Sequence, residues 1–234
     1  MGLKKDEFKY TGEENLEAMS EAKNYNDFLL SFVNHDIKDQ KARILDFGAG
    51  SGTYADMLKK KGISVECLEP DSKLKDKLVK KGYKTFKDIK ELRPNSYEII
   101  YALNVFEHIE DDKVAMITLA KKLKKGGKLV IYVPAFQALF TSMDKKVGHY
   151  RRYRKNRLDD HARDAGLNVK ELYYCDPLGF GAALTFKYFG NKDGVVSPSS
   201  VKFYDRFIFP ASKIVQPIFK QFIGKNVVLI AEKP

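Results

Sequence analysis

The chain of 234 residues has no tryptophan, two cysteines, four histidines and no long uninterrupted apolar run. Each shortage excludes something. Cys67 and Cys175 fall inside apolar stretches with no CxxC pair and no histidine at zinc-partner spacing, so neither a disulfide framework nor a metal site is expected. No window approaches the ~18 apolar residues of a transmembrane helix. The opening MGLKKDEFKY lacks the apolar core of a signal peptide, and Asp6 stands where a myristoylation signal needs Ser or Thr. The expectation is a cytoplasmic protein, at most peripheral to the inner face of a membrane.

What is present is a basic surface and enough apolar content to bury a core. Lys and Arg number 42 against 31 Asp and Glu, a net charge of +11, and 44% of the residues are hydrophobic. Such a charge suits a polyanion, an anionic membrane or an acidic small molecule, but also plain solvation. The lysines at 59 to 61 and at 124, 125 and 128 are scattered over helices and turns, which favours a solvated outer face. One globular unit is expected, as a monomer or dimer.

Hydrophobic spacing divides the chain. An amphipathic helix is expected over 14–33, within an N-terminal extension of residues 1–40. Strand-like runs then alternate with helical patterns: RILDF at 43–47, a helix from about Ser51, SVECLE at 64–69, a helix over 72–81, a short KTF at 84–86, YEIIYAL at 97–103, a helix over 111–124, and KLVIYVP at 128–134. Strands separated by helices must be parallel, because a tight turn cannot return the chain to a parallel neighbour. The fold class is α/β, a doubly wound sheet. A helix after Asn156 leads to NVKELYYC, and NVVLIAEK at 226–233 closes the chain. Between these lies an α-rich insert, 176–225, whose Pro210 and Pro217 are expected to break or kink any single helix.

The most informative segment is ILDFGAGSGTYADML, 44–58. A strand runs into Gly48, Gly50 and Gly52 and a helix follows, so the backbone turns sharply and leaves room for a ligand to approach closely. Glu69, in LEPD at the end of the second strand, can accept hydrogen bonds from both hydroxyls of a ribose. The nicotinamide and flavin pattern is GxGxxG, whereas this turn is GxGxG, which weakens a dehydrogenase reading.

DFGAGSG followed by LEPD resembles motif I and the second-strand acid of class I S-adenosylmethionine-dependent methyltransferases. FKDIKEL, SYEIIYALNVFEHIEDD (with Glu98 where that family often has Asp) and KKLKKGGKLVIYVPAF extend the likeness over residues 40–136. The resemblance implies a Rossmann-like sheet of seven strands, mostly parallel with an antiparallel last strand. It implies S-adenosylmethionine as cofactor, held over a core of 41–136. Asp46, Gly48, Ala49, Gly50 and Gly52 would flank its methionine part, Glu69 and Pro70 its ribose, Asp88 and Ile89 its adenine, and Asn104 would complete the rim.

Methyl transfer to a hydroxyl needs the proton removed near the transition state, which suits a histidine or carboxylate at the mouth of the pocket. Glu107, His108 and His149 are the candidates, since ligands bind at the C-terminal ends of strands in such sheets. His35 and His161 are read as structural or surface residues. PAFQALFTSMDKKVGHYRRYRKNRLDDHARDAGL resembles a subgroup with a G-H-x-R-R-Y loop, often associated with glycosyltransferases. That likeness implies a lid within 137–175 whose acceptor-facing residues are Phe136, Asp144, Tyr150, Arg151, Arg152 and Tyr153, with Arg154, Lys155 and Arg157 left to solvent. The acceptor is expected to be a small molecule or glycan, O-methylated and in one version lipid-linked, with the lysine-flanked apolar stripe of 199–223 either on a membrane interface or packed on the sheet. The alternatives are an RNA methyltransferase, for which no RNA-binding module is visible, and a non-catalytic S-adenosylmethionine-binding protein.

Overall fold

The computed structural model describes residues 19–35, 37, 39, 41–189 and 197–234. Its strands are β1 (Ile44–Phe47), β2 (Val65–Leu68), β3 (Lys84–Phe86), β4 (Tyr97–Leu103), β5 (Leu123–Pro134), β6 (Asn168–Cys175) and β7 (Asn226–Glu232). They form one sheet in the order β3-β2-β1-β4-β5-β7-β6. The first five are parallel, and β7 runs antiparallel to both of its neighbours. The order reverses direction at β1 and β4, so the C-terminal ends of these two strands flank a crevice in which α/β sheets bind ligands.

The helices are α1 (Lys23–Asn34), α2 (Thr53–Lys59), α3 (Ser72–Lys80), α4 (Asp112–Lys122), α5 (Ser142–Lys146), α6 (Lys155–Asp164), α7 (Pro177–Phe189), α8 (Pro198–Phe203) and α9 (Phe209–Phe219). Alternation along the strands sorts the core into two layers. Ile44, Tyr101, Val130 and Val228 face α1, α2 and the insert, whereas Leu45, Ile100, Leu129 and Leu229 face α4 and α6. Both sides of the sheet are therefore dry, which is why its strands read as continuous apolar runs. Each fully buried Leu or Ile contributes about 1.5–3 kcal/mol relative to exposure.

Two boundaries differ from expectation. The expected helix over 14–33 is observed as α1; residues 14–18 lie outside the described residues. Pro217 does not break the insert: α9 runs through it, with Pro210 in the first turn. Both prolines lack the N–H that would bond to the carbonyl four residues back, so each costs the ladder one bond without ending the helix. A π-helical stretch at Tyr204–Ile208 joins α8 to α9, making one unbroken helical run over 198–219.

The insert is tied down by two buried aspartates. Asp176 has no exposure, and its Oδ1 accepts from the Gly179 N–H at 3.0 Å and from the Tyr204 and Ser212 hydroxyls at 2.7 Å each. A Cβ on Gly179 would stand 2.0 Å from Asp176 Oδ2, so only glycine fits. Asp205 accepts from the Asn24 and Tyr25 N–H groups at 3.0 and 2.8 Å. It thereby caps α1, whose own N-cap residue, Ala22, has no side chain able to do so.

Candidate active site

The C-terminal ends of β1 and β2 form one rim. Gly48, Gly50 and Gly52 have φ of 78°, 56° and 87°. A Cβ on Gly48 would come within 2.6 Å of Val105, and one on Gly52 within 2.7 Å of Leu78, so packing and backbone conformation both demand glycine. The Gly50 N–H donates to Glu69 Oε2 at 2.7 Å and the Asp71 N–H to Glu69 Oε1 at 2.9 Å. An ionised carboxylate has about four acceptor sites, so two remain for hydroxyls. Burial raises the pKa of Glu69 and the two N–H groups oppose it. The carboxylate that starts α3 is Asp71, which accepts from the Leu74 N–H at 3.0 Å; Glu69 is spared that task.

Asp46 is 2% exposed, and its Oδ2 has no hydrogen-bond partner. Burial pushes its pKa to about 7, against the nearby Tyr101 hydroxyl and with help from the Glu69 carboxylate. An orphaned buried oxygen beside a glycine cradle fits a ligand with a cationic or hydrogen-bonding group. Ala49 is buried and Pro70 half-buried along the same turn. Asn104, at φ 56°, donates its N–H to Tyr132 at 2.7 Å and turns the chain away from β4. Exposed Asp88 accepts from the Lys90 N–H while Glu91 accepts from the Asp88 N–H, both at 2.8 Å, and Ile89 packs against the α4 side of the core.

The other rim joins the turn after β4 to the loop before α6. Glu107 is 1% exposed and its Oε2 has no partner; burial raises its pKa to about 7, opposed by His149 and Arg152. His108 stands nearly perpendicular to His149, ring centroids 4.6 Å apart. Burial, then His149, lowers its pKa to about 4, so it is a neutral imidazole near pH 7. His149 Nδ1 lies 2.8 Å from Asp144 Oδ1, and its Nε2 lies 3.9 Å from Glu107 Oε1. Asp144 is gripped on both oxygens by the Arg152 fork at 2.9 and 3.0 Å. Burial would raise Asp144, but His149 and Arg152 hold it down at about 2. Phe136, at φ 59°, stacks on Tyr174 and meets Phe180 edge-on, centroids 4.6 and 5.4 Å away.

The lid reading needs correction in its parts. Tyr153, expected to offer a face to the acceptor, has no exposure; its hydroxyl donates to the Phe106 carbonyl at 2.9 Å or to Asp112 at 2.8 Å. Arg151 donates to the Ile109 and Glu110 carbonyls at 2.9 and 2.8 Å and pairs with Asp112 at 3.0 Å. Arg157, expected in solvent, has a side chain 44% exposed, yet its Nε and Nη2 also reach Asp112 at 3.1 and 2.9 Å. His161, expected far from these loops, has Nε2 3.4 Å from Asp112. The loop is thus anchored rather than hinged at these residues, while Tyr150 is 53% exposed.

Asp112 was missed by sequence reasoning. It is the second Asp of an ordinary helix start, and its partners Tyr153 and Arg157 lie 41 and 45 positions away. Burial would raise it, but Arg157, Tyr153 and Arg151 hold it at about 2. Asp176 was legible in principle, because D-P-x-G is a turn signature in which the Asp side chain takes a nearby N–H.

A switch-point crevice with a glycine cradle on one side and an ionisable cluster on the other is the arrangement of an α/β domain that binds a nucleotide-like ligand beside reactive side chains. Residues 17–172 match the methyltransferase-domain family, and the chain belongs to it. An uncharacterized methyltransferase of Bacillus thuringiensis is 33% identical over 113 residues, 45% of this chain and 51% of that protein. The chain thus spans about half the length of the curated relatives it matches. A SAM-dependent methyltransferase from Thermotoga maritima superposes with a TM-score of 0.63 at 17% identity, covering 94% of this chain and 95% of that one. Haemonchus contortus phosphoethanolamine N-methyltransferase 2, in complex with S-adenosyl-L-methionine, gives 0.60 at 16% identity over 89% of this chain and 52% of that one. The rim has room for such a ligand: the glycine turn leaves space, Glu69 retains acceptor capacity and Asp46 has an unmatched oxygen.

Proposed function

We propose that the protein transfers a methyl group to a hydroxyl of a small-molecule or glycan acceptor. S-adenosylmethionine supplies an electrophilic methyl carbon on a sulfonium. The chain's own task is to hold the acceptor oxygen in line with that carbon, exclude water and let the hydroxyl proton depart as the carbon–oxygen bond forms and the carbon–sulfur bond breaks. Asp46 and Glu69 are the cofactor's polar contacts, with Asp88 and Ile89 at its adenine end. The observation that carries the hydroxyl reading is the buried group of Glu107, His108 and His149, with His149 oriented by Asp144 and Asp144 by Arg152. An already neutral amine would need no such cluster.

The test is methyl transfer from labelled cofactor to a panel of glycans, quinones and RNA. A methyl ether on a glycan or quinone is expected. His149→Ala should lower kcat on the order of 100-fold with cofactor affinity unchanged, the scale of lost acid–base assistance. Methylated RNA with steep salt dependence, or cofactor binding without transfer to any acceptor, would overturn the reading.

A lipid-linked acceptor is favoured by one further observation. Phe203, Phe207, Ile214 and Ile218 are exposed along one helical run, with exposed Phe222 in the turn after it, spaced by four or seven residues. Lys202, Arg206, Lys213 and Lys220 accompany them, and the sole acid among the described residues of 177–223, Asp205, is buried beneath α1. Among the described residues no helix is long and apolar enough to cross a membrane. An apolar stripe flanked mainly by basic residues, of which Lys202 is paired with Glu21, suits a surface of anionic lipid. Binding to vesicles containing anionic lipid, lost in Ile214→Glu/Ile218→Glu, is the expected result; equal binding by that variant would refute it.

A further inference from the structure

The ionisable cluster holds more than a proton acceptor requires. Glu107, His108 and His149 each offer one ligand atom, and the three atoms lie within 4.8 Å of one another. Two imidazoles and a carboxylate form a common ligand set for a divalent transition metal, and three protein ligands leave positions open for an exogenous oxygen. We propose that Glu107, His108 and His149 bind a divalent transition-metal cation beside the cofactor crevice. This rests on the hydroxyl-acceptor reading for its purpose, though not for its geometry.

Four observations carry the assignment. First, Glu107 Oε2 is buried with no partner, on a residue 1% exposed, and a cation would satisfy it. Second, His149 turns its Nδ1 to Asp144 at 2.8 Å, leaving Nε2 for the cluster. A carboxylate behind a histidine fixes its tautomer and raises its basicity as a ligand. Third, His108 also has a supporting contact, since its ring interacts with the backbone of Val147 and Gly148. Fourth, the separations are close to what is needed. Ligands about 2.1 Å from a tetrahedral Zn²⁺ stand roughly 3.4 Å apart, whereas His149 Nε2 and Glu107 Oε1 are 3.9 Å apart. Small side-chain rotations close that difference.

Charge balance agrees. Arg152 and Asp144 neutralise each other, so a dication on ionised Glu107 and two neutral imidazoles leaves one net positive charge, which an acceptor alkoxide would cancel. A cation at this point would lower the pKa of a hydroxyl oxygen bound to it, so the proton could leave to water as the acceptor binds, before water is excluded, and the contribution of His149 would then be that of a ligand. The absence of metal-ligand spacing in the sequence is understandable: Glu107 and His108 are adjacent, and the third ligand comes 41 positions later from another loop.

The experiment is calorimetric titration of the full chain with ZnCl₂, repeated with MnCl₂ under electron paramagnetic resonance, without acceptor. One cation per chain is expected, with affinity falling at least 10-fold in Glu107→Gln and His149→Ala. Asp144→Asn should weaken binding on the order of 10-fold, as loss of a ligand's supporting carboxylate does. Unchanged cofactor affinity in Glu107→Gln establishes that the variant is folded. No saturable binding, or binding insensitive to Glu107→Gln and His149→Ala, would overturn the inference. The two readings fail separately: methyl ether formation undiminished in a chelator would refute the cation and keep the hydroxyl acceptor, whereas cation binding without methylation of any hydroxyl would do the reverse.

Discussion

The two rims of the crevice are built by different physics. The cofactor rim is made locally: a strand ends, three glycines turn the chain, and the adjacent strand supplies Glu69, so the polar contacts are largely backbone N–H groups on a carboxylate. The rim proposed for the acceptor also draws on long-range ion pairs, with Arg151 and Arg157 reaching Asp112 more than 38 positions back, beside a local set around Asp144. Asp112 gathers Arg151, Tyr153, Arg157 and His161; Asp144 gathers His149 and Arg152. A backbone cradle should survive most side-chain changes but no added Cβ, whereas an ion-pair hub should collapse when its single acid is removed.

The largest effect is therefore expected at Asp112, 2% exposed. Asp112→Ala leaves Arg151 and Arg157 without their carboxylate and should destabilise the fold by about 3–5 kcal/mol, the cost of breaking a buried pair from one side. Urea unfolding measures it. A loss below about 1 kcal/mol would show that the hub is not what holds the loop.

Cofactor affinity should break differently. Glu69→Ala removes the carboxylate proposed to hold the ribose and frees the Gly50 and Asp71 N–H groups, and should weaken S-adenosylhomocysteine binding on the order of 10- to 100-fold, about 1.4–3 kcal/mol. Gly48→Ala should do similar damage through strain and contact with Val105. Calorimetry with thermal unfolding separates the two rims: Glu69→Ala should alter binding with little change in Tm, Asp112→Ala the reverse.

This contrast also explains what was legible. The alternation of strands and helices, YEIIYAL and NVKELYYC to the residue, and the Gly48-to-Glu69 cradle all depend on neighbours within about 25 positions, so they leave a pattern. The VGHYRRYRKNRL loop leaves only composition. Nothing near Arg157 says that it meets an acid 45 residues back, and nothing near Asp205 says that it caps a helix 180 residues earlier. Pro217, expected to break or kink a helix, does not break it: α9 runs through it, an outcome that depends on packing around the helix and not on the local sequence.

A smaller effect concerns pH. Glu107 has its folded pKa raised to about 7 by burial, above an unfolded value near 4.3. Its contribution to stability is therefore full below about pH 4.3 and is lost as pH rises through 7, because the folded state then gives up a proton the burial favoured. Asp144, held at about 2, acts oppositely: its contribution is present above about pH 3.9 and disappears as pH falls through 2. Glu107→Gln should flatten the fall in stability between about pH 4.3 and 7, by about 4 kcal/mol at most, read from urea midpoints across pH. An unchanged profile would mean that Glu107 is not desolvated as described.

The smallest effect is expected two residues before Arg157, at Lys155, and it tests whether the basic loop has an inside and an outside. Lys155 Nζ donates to the Gln221 carbonyl at 2.8 Å and to its Oε1 at 3.0 Å, lies over the Tyr174 ring and meets no acid. Both bonds are exposed, so water replaces them at little cost, and Lys155→Ala should shift stability by about 0.5 kcal/mol or less and leave turnover unchanged. Arg157→Ala, by contrast, takes one fork from buried Asp112 and should cost about 1–3 kcal/mol. Equal effects at the two positions would mean that the loop is one solvated basic patch. Unequal effects in the stated order place the division between them, with charge that positions the acceptor rim on one side and charge that only keeps the chain soluble on the other.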